Sequence, residues 1–203
     1  MRGSTRDNAT PDDSIHLGVA RRRFTPTSCT GVTLLELMIA LTIFAILSSL
    51  AVPSFTNLYH DAGRVTAVNG FVHALMVARA EAMTRGGVVS LCKSSDGSHC
   101  MNAAPDWNVG WIVFANLNRD EPPVRSEDEP LLQVYAAWPG GHITSNRAAY
   151  SFRPIMQAVI NGTVVFCDPR GSTAARALII TNVGRARLSQ RDSSNKPLRC
   201  PAG

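Results

Sequence analysis

Hydrophobic and polar positions divide the chain into four stretches. Residues 1–31 mix charged residues and turn formers without a period, which predicts a disordered segment. From Val32 to Val52, 21 residues, every position is apolar or hydroxylated except Glu36. At about 1.5 Å per residue this run reaches roughly 30 Å, the thickness of bilayer hydrocarbon. Pro53 ends it and, lacking an N–H and clashing with the previous turn, is expected to kink the helix. From 54 to 86, Val65, Val68, Val72, Leu75 and Ala82 recur at helical steps, predicting one amphipathic face. Gly86-Gly87 ends the element.

Beyond Gly87 the period shortens. Val88–Cys92, Gly110–Ala115, Leu131–Ala137, Ala149–Phe152, Thr163–Cys167 and Ala177–Thr181 are rich in β-branched or aromatic residues and bounded by turn formers, predicting six short strands. The expected organisation is a long helix followed by a β-rich domain over 87–203, an α+β class. Trp107, Trp111 and Trp138 read as packing residues of that domain. No internal repeat is present.

Charge and cysteines orient the chain. Arg21-Arg22-Arg23 precede the apolar run, and no Lys or Arg follows it until Arg64. Positive flanks stay cytoplasmic, so the C-terminal part is expected outside the inner membrane. The run is too long for a cleavable signal, whose apolar core is about 7–15 residues. Cys92, Cys100, Cys167 and Cys200 lie on the exported side and Cys29 on the other. An even number suits an oxidising compartment. Of three connectivities, Cys92–Cys100 with Cys167–Cys200 is favoured, because the first closes a short hairpin-like loop around Asp96-Gly97.

An unpaired acid in mid-membrane costs about 2.5 kcal/mol or more, so Glu36 calls for a partner. Cleavage after Gly31 would give Val32 a positive α-amine four residues before Glu36. The same amine on a neighbouring chain could pair with the carboxylate and set register between subunits. The stretch from Gly31 through Val32, Glu36 and Pro53 to Phe55 resembles the N-terminal signature of type IV pilins and type II secretion pseudopilins. The resemblance implies cleavage after Gly31 by a prepilin peptidase, N-methylation of Val32, assembly guided by Glu36 and a kink at Pro53. Val32 departs from the family's usual Phe. The implied organisation is a cytoplasmic leader over 1–31, a transmembrane assembly helix over 32–53, its continuation over 54–86 and a periplasmic β-rich domain over 87–203. The long leader suggests that translation begins near Val19 from a GTG codon. A frameshift upstream of Val19 that abolished the protein would refute this.

The segments "ARAEAMTRGGVVSLC", "WNVGWIVFANLNRD", "NGTVVFCDPRG" and "ALIITNVGRAR" resemble successive signatures of GspH/FimT-type minor pilins and pseudopilins. That implies a pilin-like fold, a long helix packed on a small antiparallel β-domain. It also implies a structural subunit in a type IV pilus or type II pseudopilus, placed at a tip or initiation complex, with other minor pilins, a major pilin or pseudopilins as partners. Two alternatives stand beside it, a protein H-type pseudopilin of protein export and a pilus-borne DNA receptor for natural transformation.

Remaining chemistry is sparse. The five histidines, His16, His60, His73, His99 and His142, are scattered, and no nucleophile elbow, P-loop or metalloprotease motif occurs. No catalytic residue, cofactor or metal is expected. A zinc site at Cys92, His99 and Cys100 lacks ligand spacing. Asp120, Glu121, Glu127, Asp128 and Glu129 lack calcium-loop spacing and read as a solvated loop. Positive charge gathers in the tail, where Arg170, Arg176, Arg185, Arg187, Arg191, Lys196 and Arg199 face only Asp168 and Asp192. Arg185 and Arg187, two apart, would share a strand face about 6.8 Å apart. With Arg191, Lys196 and Arg199 they form a candidate site for double-stranded DNA phosphates. The GRxR pattern resembles the DNA-contacting element of FimT-type proteins. The bland reading is a basic edge that blocks aggregation.

Overall fold

The computed structural model describes residues 31–101, 106–154, 161–182 and 184–201, without the side chains of 50–54. The leader, with Arg21–Arg23, Cys29 and the expected start near Val19, lies outside the described residues. By internal contacts the chain divides into Met1–Ala45 and Ile46–Gly203. One helix, α1, is assigned from Leu34 to Arg85, its backbone helical through Pro53. It starts on a capping pair, Thr33 Oγ1 accepting from the Glu36 amide at 3.2 Å. Thr-x-x-Glu is a capping-box pattern, and Glu36 in the first turn complements the helix dipole. Gly86, at φ +64°, ends the helix in the left-handed conformation that glycine takes without strain.

Eight strands follow: β1 Val88–Lys93, β2 Trp111–Asn116, β3 Leu131–Tyr135, β4 His142–Ser145, β5 Ala149–Phe152, β6 Gly162–Cys167, β7 Arg176–Ile180 and β8 Ala186–Ser189. They form two four-stranded antiparallel sheets, ordered β3-β2-β1-β5 and β4-β6-β7-β8. One face of each meets the C-terminal half of α1. Phe71, fully buried, is the centre, its ring within 5.2–6.1 Å of Trp107, Trp111, Tyr150 and Phe166. Strand alternation explains the rest. Leu91, Val113, Tyr150, Phe166, Leu178 and Ile180 join this core, while their neighbours point away.

Those outward residues form two smaller clusters. On the first sheet Cys92, Ile112, Phe114 and Ala149 are covered by Cys100. On the second Cys167, Ala177 and Ile179 pack with Leu198 and Cys200. Each cover is held by a disulfide, Cys92–Cys100 or Cys167–Cys200.

Several expectations are corrected. Two strands were not foreseen, β4 and β8, because "HITS" and "ARLS" are short and polar. The face expected of Val65, Val68, Val72, Leu75 and Ala82 splits: Val68, Leu75 and Ala82 are buried, whereas Val65 is exposed. The helix has two apolar stripes, which periodicity merged into one. The loop closed by Cys92–Cys100 is a run of bends after β1, not a hairpin. The acidic loop is only partly solvated. Glu129 is buried and accepts from the amides of Leu117 and Ser126 at 2.7 and 3.0 Å. Among the described residues no helix is long and apolar enough to cross a membrane; the apolar run expected to do so includes residues whose side chains are not described.

Candidate functional site

At the start of α1, an added Cβ on Gly31 would meet nothing within 4 Å. Val32 and Glu36 are exposed. The Glu36 amide serves the cap, while its carboxylate is in no ion pair among the described residues.

Beyond the exposed apolar run 32–47, α1 carries a second exposed apolar stripe. Phe55, Leu58, Val65, Met76 and Met83 are each more than half exposed. With Ala62 and the partly buried Val72 between them, they recur at steps of three, four and seven, Asn69 and Arg79 standing in the two longer gaps. At 100° per residue these positions lie on the side of the helix opposite Phe71, Ala74, Leu75 and Ala78. A run of this kind reads as the a and d positions of a helix-packing seam.

The basic edge is built by β8, the edge strand of the second sheet. Arg187 pairs with Ile179 and Ala186 with Ile180. The Thr181 amide donates to the Arg185 carbonyl at 2.9 Å, and the Arg185 amide to Thr181 Oγ1 at 3.3 Å. Continuing the register, Arg185 stands opposite Thr181, so Arg185 and Arg187 share the outer face. Both are exposed, and neither side chain is bonded to another described residue. Lys196 and Arg199 are likewise exposed on the tail. Arg191 is not fully available, because its guanidinium donates to the Asn195 carbonyl at 3.0 Å. Asp192 closes the same loop through the amides of Ser194 and Lys196.

Two polar clusters were not foreseen. Arg64 on α1 bonds buried Asp168 at 2.9 Å and Asp61 at 2.6 Å, and Arg170 reaches both carboxylates at 2.7 Å. Burial raises the Asp168 pKa, but bonds from Arg170 and the Arg170 and Arg64 charges outweigh it and leave the carboxyl below its usual range. Hydrogen bonding from Arg170, then the charges of both arginines, likewise lowers Asp61. The available signal was Arg64, the first basic residue after the apolar run, together with the Asp-Pro-Arg-Gly turn. On the other sheet His99 Nδ1 lies 2.8 Å from Asp96 and Nε2 3.1 Å from Glu127. The bond to Asp96, then that to Glu127, raises the imidazole pKa. Asp96 is itself held low by the amides of His99 and Ser98.

The zinc reading of Cys92, His99 and Cys100 loses both thiolates, since Cys92 and Cys100 are joined to each other. Among the described residues no three His, Cys, Asp or Glu side chains are grouped to hold an ion. His142 pairs with Asp106 at 2.9 Å, and His73 with the Tyr135 hydroxyl at 2.7 Å.

A family model described as type II transport protein GspH matches residues 67–184. A prokaryotic N-terminal methylation motif matches residues 27–52. Among solved structures, two crystal forms of the type IV minor pilin FimU of Pseudomonas aeruginosa are similar, at TM-scores of 0.47 and 0.46 and 19% and 21% identity. They cover 66% of this chain in each case, and 98% and 92% of the FimU chains. The minor pseudopilin EpsH from the type 2 secretion system of Vibrio cholerae is similar at a TM-score of 0.40 and 10% identity, over 61% of this chain and 94% of EpsH. No curated protein sequence matches the chain significantly.

Proposed function

The chain belongs to the GspH family of type II transport proteins, and from that premise we propose that it is a minor subunit of a pilus or pseudopilus. Its N-terminal methylation motif implies processing by prepilin peptidase and assembly with other pilins. In this reading the chain is cut after Gly31, and its apolar run 32–52 sits in the inner membrane with the β-domain periplasmic. Glu36 then pairs with the N-terminal amine of a neighbour. The subunit is placed at a tip or initiation complex, and it works as a structural part rather than an enzyme.

The observation that carries this reading is the exposed stripe from Phe55 to Met83. A monomer gains nothing by keeping five large apolar side chains in water along one helix face, and such a patch marks an interaction surface. The test is a pair of variants in the native host. Glu36→Val should insert at least as readily, since an acid leaves the lipid, but lose partner recruitment. Val65→Lys with Met76→Lys should fold, because both are exposed, yet fail to co-purify with neighbouring pilins. Normal assembly of both would overturn the reading. Loss of piliation or loss of protein export in a deletion strain distinguishes the pilus from the secretion system.

A second reading rests on Arg185 and Arg187, side by side, exposed and unpaired. It makes the outer face of β8 a phosphate-binding edge for double-stranded DNA. Arg185→Gln with Arg187→Gln should weaken duplexes of any sequence alike. The logarithmic salt slope should flatten by about 0.9 for each lost contact. Wild-type protein that binds no duplex at near-physiological salt would leave β8 as an edge protected by charge.

A further inference from the structure

At the end of the second sheet where β6 begins and β4 and β7 end lies a pocket of about 360 Å³. Asn161, Thr163, Ile179, Asn182 and Ser193 are among its lining residues. Most of these groups have hydrogen-bonding capacity to offer. The side chains of Thr163, Asn182 and Ser193 have no partner among the described residues. Asn161 uses only its carbonyl oxygens, on Arg147, leaving its NH₂ group free.

The two arginines adjoin this pocket directly. Thr163 pairs with Ile179 and Ile179 with Arg187, so pocket wall and cation are successive positions across neighbouring strands, about 4.8 Å apart. Arg185 stands in the same relation to Thr181, which also lines the pocket. Ser193 closes the far side from the tail loop that carries Arg191 and Lys196. The pocket is therefore neutral and polar, and cations border it on two sides.

We propose that this pocket is a subsite for one unpaired nucleotide of a DNA strand whose phosphates lie on Arg185 and Arg187. Amide and hydroxyl groups match the exposed edge of a base, which presents donors and acceptors once it has left a duplex. The volume is that of a small-ligand pocket, and Ile179 gives the base an apolar wall. A continuous duplex keeps its base edges paired and reaches only the arginines. The inference rests on the DNA-binding reading of β8 and adds a preference for strand ends or single-stranded extensions.

The test uses full-length protein in detergent micelles, titrated at one salt concentration with a fluorescent blunt duplex and with the same duplex carrying a single-stranded extension. Two or three added neutral hydrogen bonds predict about tenfold tighter binding of the extended form. Thr163→Val with Asn182→Ala and Ser193→Ala should erase that gain and leave blunt-duplex affinity unchanged. Arg185→Gln with Arg187→Gln should weaken both forms. Equal binding of the two forms by wild type, or a gain that survives the pocket variants, would overturn the subsite while leaving the edge as a duplex binder. Binding of neither form would overturn the DNA reading, and the subsite with it.

Discussion

The outer faces of the two sheets are covered on one plan with opposite charge. Over β3-β2-β1-β5 the cover is the Cys92–Cys100 loop, to which the acidic loop 117–130 is tied by Arg125 donating to the Ser98 carbonyl at 3.0 Å. Over β4-β6-β7-β8 it is the C-terminal tail, held by Cys167–Cys200 and bordered by Arg185 and Arg187. In the first, cations are consumed internally, as His99 is by Asp96 and Glu127. In the second, Arg64 and Arg170 are used internally at the foot of the sheet, whereas Arg185 and Arg187 on the face are left free. A small domain closes both faces with disulfides because short strands bury too little there on their own. What differs is the charge each cover presents, which suits only the basic one to a polyanion.

The largest expected effect breaks the two staples separately. The residues joined are 33 apart in Cys167–Cys200 and 8 apart in Cys92–Cys100. Chain entropy then assigns about 4 kcal/mol to the first and about 2.5 kcal/mol to the second. Denaturant unfolding of Cys200→Ser and Cys100→Ser should rank them in that order. Equal losses would show that the tail adds nothing as a cover.

Next comes the network beneath the basic cover. Asp168→Ala leaves Arg64 and Arg170 with Asp61 alone, and should cost about 3 kcal/mol, as for a broken buried pair. The folded-state pKa values of Asp168 and Asp61 are lowered. Their contribution is therefore complete above the unfolded value near 3.8 and is lost as pH falls through the lower, folded values. Below about pH 3.8 wild-type stability should therefore fall more steeply with acid than that of Asp168→Ala, which lacks this contribution at every pH; an acid limb left unchanged by the substitution would refute it.

The smallest effect has the opposite sign. The folded-state pKa of His99 is raised, so its clamp is at full strength below the unfolded value of about 6.5 and weakens as pH rises through the folded one. Hydrogen exchange in the 94–101 loop should accelerate above neutral pH in wild type. It should lose that pH dependence, beyond the intrinsic one, in His99→Gln. Because His99 is exposed, global stability should barely change.

How much of this was legible follows from range. Gly31, Glu36 and Pro53 stand at fixed offsets around an apolar run. Six strands were readable because β-branched and aromatic residues cluster within each. Strands β4 and β8 were not, since "HITS" and "ARLS" are stabilised by neighbours in the sheet rather than by their own propensity. Arg185 and Arg187 were recognisable as a pair of cations two apart. That they stand free beside an amide-lined pocket was not, because the pocket joins residues from 146 to 193.

The sequence by itself determined the local features: an uninterrupted apolar run with one acid, a helix ended by glycine and six of the short strands. Periods, caps and turns act within a few residues and leave their mark there. Tertiary structure alone decided which of two apolar helix stripes is buried, since Phe71 meets four rings brought from three other parts of the chain. It also decided that Glu129 is buried, that Asp168 pairs with Arg64 104 residues away, and which cations remain unpaired. Burial and pairing depend on which distant groups close over a position, and no local pattern encodes that.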